Sequence, residues 1–271
     1  MSQSDYETDV LLAQYLLLHY GKAEDILPYS GGPRDALDYP VRCVSALLQP
    51  GRLPAETRAL DVGCAVGRSS FELARHCDEV VGVDLSQRFI DTATALAAGE
   101  AVEARCADEG EITRRLVFRA PRPERPVGRI CFRVADACAL PVELDAFNVV
   151  LNANLLDRLP DPGLFLDRLP GLVAEGGQLL FASPFTWLES YTPKNRWVGG
   201  TVSNAGPVRS WDALCEQLDP YFTLDFDTEL PFLIREHARK FQWSVARAGR
   251  WIRKTSDGSD RRRPPGRRRV P

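Results

Sequence analysis

The chain of 271 residues lacks two features that would each assign it to a broad class of protein. No apolar stretch approaches the length needed to cross a bilayer, since the longest, Val10 to Leu18, is interrupted by Gln14. The seven cysteines form no C-x-x-C pair and have no histidine partners at metal-ligand spacing, which indicates neither a zinc site nor a disulfide framework. We therefore expect a cytoplasmic protein with reduced cysteines, no membrane partner and no bound metal.

The chain also lacks an excess of positive charge outside its last residues. The formal net charge is −3, and residues 256–271 hold six arginines and two aspartates, which leaves −7 on the remainder. An acidic body argues against a nucleic-acid partner. The tail 256–271 has nothing apolar to pack and is predicted to be disordered.

The chain does contain a regular alternation of strand and helix patterns. Strands separated by helices of this length imply right-handed crossovers and a parallel sheet covered on both faces, so the predicted fold class is α/β. The predicted strands are 58–61, 79–83, 130–134, 147–151, 178–183, 222–227 and 232–236, and the predicted helices lie within 6–20 and over 40–48, 69–76, 87–98, 162–173 and 210–217.

Three segments are expected along the chain. Residues 1–50 form an N-terminal helical lid segment, 51–250 form the main domain, and 256–271 form the arginine-rich tail. Within the main domain, the charged and proline-rich residues 105–128 break the alternation. We expect them to form a solvated insertion, with room for a short hairpin.

An acid and two glycines follow the first predicted strand. This apolar run ends in Asp61, the backbone then turns through Gly63 and Gly67, and the next apolar run ends in Asp84. Glycine has no side chain to block the approach of a ligand to the main chain, and ligands of parallel sheets bind beyond the carboxyl ends of the strands. The pattern predicts a nucleoside site between two strand ends.

The glycine spacing narrows the choice of nucleoside. Gly63 and Gly67 are spaced G-x-x-x-G, whereas a dinucleotide fingerprint needs G-x-G-x-x-G, so a nicotinamide oxidoreductase is disfavoured. The segment from Asp61 to Gly67 resembles the first motif of class I S-adenosylmethionine-dependent methyltransferases. The resemblance implies a Rossmann-like fold with a mostly parallel seven-stranded sheet, helices on both faces and N-terminal lid helices.

The same resemblance implies S-adenosyl-L-methionine as the cofactor and assigns its binding residues. Asp84 would bind the ribose hydroxyls and Asp136 would lie near adenine. Taken singly, each acid has an alternative role: Asp61 or Asp84 as a helix cap, and Asp136 as a turn residue. The implied cofactor-binding residues are Asp61, Gly63, Cys64, Gly67, Asp84, Leu85, Asp136, Ala137 and Asn152.

Segments outside the cofactor motifs carry a closer resemblance, which spans residues 6–242. Those segments resemble the 4-mercaptohistidine (5-thiohistidine) N1-methyltransferases of ovothiol biosynthesis, which implies methylation of an imidazole nitrogen of 5-thiohistidine to give ovothiol A. The residues 105–128 and the tail match this family poorly. The segments are Tyr6-Glu-Thr-Asp9, Tyr39-Pro-Val-Arg-Cys43, Gly63 to Ala74, Asn152 to Arg158, Ser183 to Trp187, Ile234-Arg-Glu236 and Arg239 to Gln242.

The chain departs from the fused form of this family in one respect. The sulfoxide-synthase half is absent, and His19, His76 and His237 are too far apart in sequence to suggest an iron-binding triad. We therefore expect this chain to methylate and a separate sulfoxide synthase to form the C–S bond.

Position and resemblance together suggest the residues that handle the acceptor. Asn154 and Asp157 are predicted to be catalytic by orienting the imidazole ring, although Asp157 has the alternative of pairing with Arg158. Trp187 has the alternative of a core position, and the charge run Arg235, Glu236, Arg239 and Lys240 that of a solvated face. The predicted substrate-binding residues are Tyr6 as a lid residue, Tyr39 and Arg42 for a carboxylate, Asn154, and Thr186 and Trp187, beside Phe185, as a wall.

Two other functions stay open from the sequence. The same fold and cofactor motifs serve many acceptors, so a different small nucleophile is one alternative. A non-catalytic module that binds S-adenosylmethionine and acts through partners is the other.

Overall fold

The computed structural model describes residues 7–121, 128–144 and 146–256. The helices are α1 (Asp9–Tyr20), α2 (Ala23–Ile26), α3 (Tyr39–Ser45), α4 (Arg68–Leu73), α5 (Gln87–Ala97), α6 (Pro162–Leu172) and α7 (Ser210–Leu218). The strands are β1 (Arg58–Val62), β2 (Glu79–Asp84), β3 (Val102–Glu109), β4 (Ile112–Phe118), β5 (Arg129–Val134), β6 (Phe147–Ala153), β7 (Val173–Ser183), β8 (Thr201–Ser203), β9 (Gly206–Val208), β10 (Phe222–His237) and β11 (Lys240–Arg253).

Seven of these strands form one sheet in the order β10-β11-β7-β6-β1-β2-β5. The pairs β1–β2, β1–β6, β2–β5 and β6–β7 are parallel, and β11 is antiparallel to both β7 and β10. The prediction of a mostly parallel, seven-stranded α/β fold is confirmed. Because the chain proceeds from β1 to β2 on one side and β6 lies on the other, the strand order reverses at β1, where such sheets bind ligands.

The two faces of the sheet bury separate apolar clusters, as alternating side chains of each strand require. In β1, Leu60 and Val62 belong to the cluster that contains Phe165 of α6, whereas Ala59 belongs to the cluster that contains Leu73 of α4. Helices therefore cover both faces, and the carboxyl ends of β1, β2 and β6 open at one edge.

Side-chain caps set where two helices near this edge begin. Thr8 Oγ1 accepts a hydrogen bond from Leu11 N–H at 3.3 Å at the start of α1, and Ser86 Oγ accepts from Phe89 N–H at 3.1 Å at the start of α5. Each cap satisfies a backbone donor that the first helical turn leaves unpaired. The Ser86 cap fixes the turn that directly follows Asp84.

The insertion at 105–128 is more structured than expected. It contributes most of the antiparallel hairpin β3–β4, in which Cys106 and Phe118 are buried in a cluster with residues of α1 such as Leu16. The described part is therefore a hairpin, for which the sequence left room, and its buried side chains pack with those of α1, so the insertion is not wholly solvated.

The C-terminal half of the sheet also differs from the prediction. The two short strands expected at 222–227 and 232–236 are one continuous strand, β10, whose Pro231 pairs with Val245 of β11. A proline is tolerated in β10 because this is the edge strand of the sheet, where the N–H groups of alternate residues face away from β11 and make no ladder bond. Neither β11 nor the small β8–β9 hairpin was predicted.

Some expectations fall partly outside the described residues. Tyr6 and, apart from Ser256, the arginine-rich tail 256–271 are not described, so the lid and tail assignments stay predictions. Within the described ranges, no helix is long and apolar enough to cross a membrane.

Candidate active site

A cavity of about 490 Å³ lies beyond the carboxyl ends of β1, β2 and β6, which is the size of a small-molecule site. The described residues predicted for the site divide into those that line the cavity and those that do not. The predicted residues that line it are Tyr39, Asp61, Gly63, Cys64, Asp84, Leu85, Asp136, Ala137, Asn154 and Thr186. The predicted residues that do not are Arg42, Gly67, Asn152, Asp157 and Trp187.

Asp84, at the end of β2, presents a fixed carboxylate to the cavity. Its Oδ2 accepts a hydrogen bond from Ala65 N–H at 2.9 Å, and its Oδ1 accepts from Ser86 N–H at 3.0 Å. Burial raises the pKa of Asp84, and these backbone donors oppose the rise. A carboxylate has about four acceptor positions, so Asp84 retains capacity for a hydroxyl group of a ligand. The alternative role of Asp84 as a helix cap does not apply, because the residue that caps α5 is Ser86.

Asp61, at the end of β1, is a buried acid on the cavity wall. The side chain is 2% exposed, and Ser70 Oγ donates a hydrogen bond to its Oδ2 at 2.6 Å. Burial raises the pKa of Asp61 to about 7, with a smaller contribution from Asp84, while the Ser70 hydroxyl opposes the rise. A cationic ligand group in the cavity would favour the charged form of this carboxyl.

Asp136 is a turn residue, which was its alternative role, and it also lines the cavity. Its Oδ1 accepts a hydrogen bond from Cys138 N–H at 2.8 Å and so caps a short turn. Asp136 and the buried Ala137 both line the cavity, next to the apolar side chain of Leu85, which is 44% exposed. These residues provide a surface with both apolar and acceptor groups for a purine.

Tyr39 and Asn154 form a hydrogen-bonded pair at the cavity wall. The Tyr39 hydroxyl donates to Asn154 Oδ1 at 2.7 Å. Burial raises the pKa of Tyr39 well above its usual value, so the hydroxyl stays protonated and able to donate. Asn154 has a φ of 54°, a left-handed conformation that asparagine adopts more readily than most residues, and its N–H donates to Ala182 O at 2.8 Å. The amide is therefore held in one orientation.

Arg42 does not reach the cavity, so its predicted contact with a carboxylate is corrected. Its Nε donates to Leu37 O at 2.8 Å and its Nη2 donates to Pro231 O. The guanidinium carbon lies 5.9 Å from the centre of the Tyr39 ring. Arg42 thus ties α3 to β10 and packs against Tyr39.

Asp157 is corrected from a ring-orienting residue to a positioning residue. It has no exposed surface, and its carboxylate accepts from Arg158 Nη1 at 2.9 Å, Thr186 N–H at 2.8 Å and Ser183 Oγ at 3.3 Å. The pairing with Arg158, which was the alternative, is the observed arrangement. Asp157 joins the segment after β6 to the segment after β7.

Gly67 and Asn152 were predicted to bind the cofactor, but neither lines the cavity. Both are packed within the protein. Gly67 has a φ of 87° at the start of α4, and a Cβ added there would lie 2.6 Å from Phe132 Cζ. Asn152 has no exposed surface, and neither its Oδ1 nor its Nδ2 has a hydrogen-bond partner among the described residues. The register of β6 pairs it with Val62 and keeps it inside the sheet.

Trp187 does not line the cavity, and it is half-buried against the edge of the apolar core, not within it. Its Nε1 donates to Ser210 Oγ at 2.8 Å, and its ring stacks on Trp197 with the centroids 6.0 Å apart. Of the charge run 235–240, no described member lines the cavity, and Glu236 pairs with Lys240 at 2.7 Å.

Several residues of the cavity were missed from the sequence. Arg158 was considered only as a partner of Asp157, although its guanidinium lies 4.8 Å from the centre of the Tyr191 ring and both residues line the cavity. Gln242 and Ser244 belong to the unpredicted strand β11; Gln242 lies in a segment of the family resemblance but had no assigned role, and only the fold places both residues at the cavity. The cavity residues without a predicted role include His19, Arg158, Tyr191, Gln242 and Ser244.

Part of the chain is similar to known methyltransferases. Residues 60–181 match a family model described as "Methyltransferase domain". Over 135 residues the chain is 32% identical to a ubiquinone biosynthesis O-methyltransferase of Caulobacter sp. (strain K31), a match that covers 49% of this chain and 43% of that protein. Over 125 residues it is 24% identical to ajmaline N-methyltransferase of Rauvolfia serpentina, covering 46% and 35%. The matched regions span less than half the length of these curated relatives.

The fold is similar to that of solved methyltransferases. A SAM-dependent methyltransferase from Methanosarcina mazei superposes with a TM-score of 0.52 and 17% identity, covering 77% of this chain and 99% of that one. The residues of the cavity fit S-adenosylmethionine: Asp84 has acceptor positions for ribose hydroxyls, Leu85 and Ala137 offer an apolar surface, and Asp61 suits an ammonium group. The matched domain, the fold and the cavity together support a class I S-adenosylmethionine-dependent methyltransferase.

Proposed function

We propose that this chain transfers the methyl group of S-adenosylmethionine to an imidazole ring nitrogen of 5-thiohistidine, giving ovothiol A. The observation that carries the proposal is the Tyr39–Asn154 pair at the wall of the cavity. Both residues lie in segments that resemble the ovothiol family. The pair supplies the polar group that a planar, nitrogen-containing acceptor requires.

Asn154 can orient the ring without acting as a base. Its Oδ1 accepts from Tyr39 with one lone pair, and the second lone pair can accept the N–H of a neutral imidazole. The opposite ring nitrogen then carries the lone pair that attacks. An imidazole with a pKa of about 6.5 is mostly neutral near pH 7, so no residue has to remove a proton before the transfer.

S-adenosylmethionine supplies an electrophilic methyl group and a neutral thioether as leaving group. As the nitrogen–carbon bond forms and the sulfur–carbon bond breaks, the ring becomes positively charged, and the Asn154 carbonyl dipole stabilises that charge. The ring N–H proton then passes to water. The protein's main contribution is alignment of the nitrogen with the methyl group in a cavity that excludes water.

Arg158 is the cation best placed for the amino-acid end of the acceptor. Its Nη1 donates to Asp157 and to Thr186 O at 2.9 Å, while the guanidinium packs on the Tyr191 ring at the cavity. These contacts hold the planar group in place, and a guanidinium has five donors. We therefore assign to Arg158 the carboxylate contact that the sequence suggested for Arg42.

The proposal is tested by incubating the protein with S-adenosylmethionine and, separately, 5-thiohistidine, histidine and ergothioneine, with products identified by mass spectrometry. We expect one methyl group to be added to 5-thiohistidine, and nuclear magnetic resonance to place it on a ring nitrogen. Turnover of another acceptor only would reassign the substrate. Tight cofactor binding without turnover of any acceptor would favour the non-catalytic alternative.

A substitution that preserves the backbone tests the role of Asn154. Asn154→Gly keeps the left-handed backbone and removes the amide that accepts from Tyr39 and orients the acceptor ring. We expect kcat to fall roughly 10- to 100-fold with little change in cofactor affinity, because the ring is no longer oriented and its developing charge is no longer stabilised. Asn204→Gly, at an exposed site outside the cavity, is the matched control and should leave kcat unchanged.

A further inference from the structure

His19 is a residue of the cavity to which neither the sequence motifs nor the matched family region assigns a role. It lies near the end of α1, outside residues 60–181, and lines the cavity together with Asp61, Gly63 and Ser69. The ring is thus beside the turn that follows β1. Its position is fixed by α1, which buries Leu16 and Leu17 against the body of the domain.

One hydrogen bond sets which ring nitrogen of His19 carries the proton. Arg68 N–H donates to His19 Nδ1 at 3.3 Å, so Nδ1 is the acceptor. Burial, with the nearby Arg68 charge, lowers the pKa of His19 to about 3, which keeps the ring neutral at physiological pH. In a neutral imidazole the other nitrogen is then the donor, so Nε2 carries the hydrogen.

The Nε2–H group has no acceptor in the part of the chain that the structure describes, where the bond from Arg68 is the one hydrogen bond of the ring. The Arg68 guanidinium pairs with Glu72 at 3.4 Å and does not line the cavity, so the group offered to an anion here is the neutral His19 Nε2–H donor. Asp61, on the same part of the wall, favours a cationic ligand group. A hydrogen-bond donor beside a carboxylate matches the carboxylate and ammonium groups of an α-amino acid.

We propose that His19 Nε2–H donates a hydrogen bond to the carboxylate of the amino-acid part of S-adenosylmethionine, while Asp61 receives its ammonium group. Helix α1 thereby binds the amino-acid end of the cofactor, which a nucleoside such as 5′-methylthioadenosine lacks. The proposal depends on the cofactor and is independent of the identity of the methyl acceptor.

Two substitutions of His19 test the Nε2–H donor separately from the Nδ1 acceptor. In His19→Asn the amide oxygen can occupy the position of Nδ1 and still accept from Arg68, but no donor occupies the position of Nε2. In His19→Gln the longer side chain can place its amide N–H near the position of Nε2. His76→Asn, at an exposed histidine outside the cavity, is the matched control.

Binding of two ligands by calorimetry gives the test, using S-adenosylhomocysteine and 5′-methylthioadenosine, which lacks the amino-acid carbons. We expect His19→Asn to weaken S-adenosylhomocysteine roughly 10- to 100-fold and to leave 5′-methylthioadenosine within about twofold, because a hydrogen bond to a charged group is lost. His19→Gln should recover part of the loss. Equal weakening of both ligands, or no weakening of either, would overturn the proposal, and neither result bears on the methyl acceptor.

Discussion

The buried carboxyl of Asp61 should make the stability of the ligand-free protein fall as the pH rises. Burial raises its pKa from 3.8 to about 7. In the unfolded chain the group loses its proton near pH 4, whereas the folded protein retains the proton until about pH 7. Between these values the folded state binds more protons than the unfolded state, so the free energy of unfolding decreases with increasing pH.

The size of this effect follows from the distance between the two pKa values. One pKa unit corresponds to about 1.4 kcal/mol, so the charged form of Asp61 costs the folded protein roughly 4 kcal/mol above pH 7. That is a large part of the 5 to 15 kcal/mol typical of domain stability. Asp61→Asn removes the titration and retains an oxygen that can accept from Ser70 Oγ.

Urea unfolding of the wild type and Asp61→Asn at intervals from pH 4 to 8, under reducing conditions, measures the effect. Carboxyls that do not interact with Asp61 contribute equally to both proteins and cancel in the difference, and the smaller interaction with Asp84 is part of the measured effect. We expect the variant's unfolding free energy, minus that of the wild type, to rise by roughly 4 kcal/mol across this range. Ser70→Ala should extend the wild-type decrease to higher pH, because the Ser70 hydroxyl lowers the pKa of Asp61. A difference that does not change with pH would refute the reasoning.

Two further predictions concern Asp84 and Gly67. Asp84→Asn should weaken S-adenosylhomocysteine and 5′-methylthioadenosine by a similar factor, roughly 10- to 100-fold in calorimetry, because the carboxylate serves the nucleoside that both ligands share; unchanged dissociation constants would contradict that role. Gly67→Ala should lower the free energy of unfolding by about 2 to 5 kcal/mol, since positive φ and a Cβ 2.6 Å from Phe132 Cζ both oppose a side chain. Gly99→Ala, with φ of 83° and open space around the Cβ, is the control and should cost only the backbone part, about 1 to 2 kcal/mol; equal losses in the two variants would exclude the clash.

The cofactor half of the cavity was predictable because its residues are local in sequence. A strand end and the turn after it form one continuous piece of chain, so Asp61 with Gly63, and Asp84 with Leu85, arrive at the cavity together. The predicted cofactor contact of Asn152 is not supported, and the reason is not contained in the motif. In β6 its side chain shares a face with Val150, which belongs to an apolar cluster, so the alternation of the strand turns it away from the ligand.

The acceptor half was less predictable because tertiary contacts decide which polar side chains are free to bind. Arg42 and Arg158 are equivalent in the sequence as cations near motif residues. Arg42 is bound by the carbonyl of Pro231, 189 residues further along the chain, whereas Arg158 is held by Asp157 with its guanidinium at the cavity. Composition and spacing contain no information about such distant partners.

The N-terminal segment shows how a structural contact can also define a binding group. His19 lies on a helix whose leucines identify it only as apolar and packed, and a single histidine on such a helix has no motif around it. Its bond from Arg68 N–H does two things at once: it joins α1 to the start of α4, and it fixes the ring tautomer that leaves a donor at the cavity. Because both depend on the same contact, docking of α1 and formation of the carboxylate site should be coupled. A cofactor that binds His19 would then stabilise the docked helix.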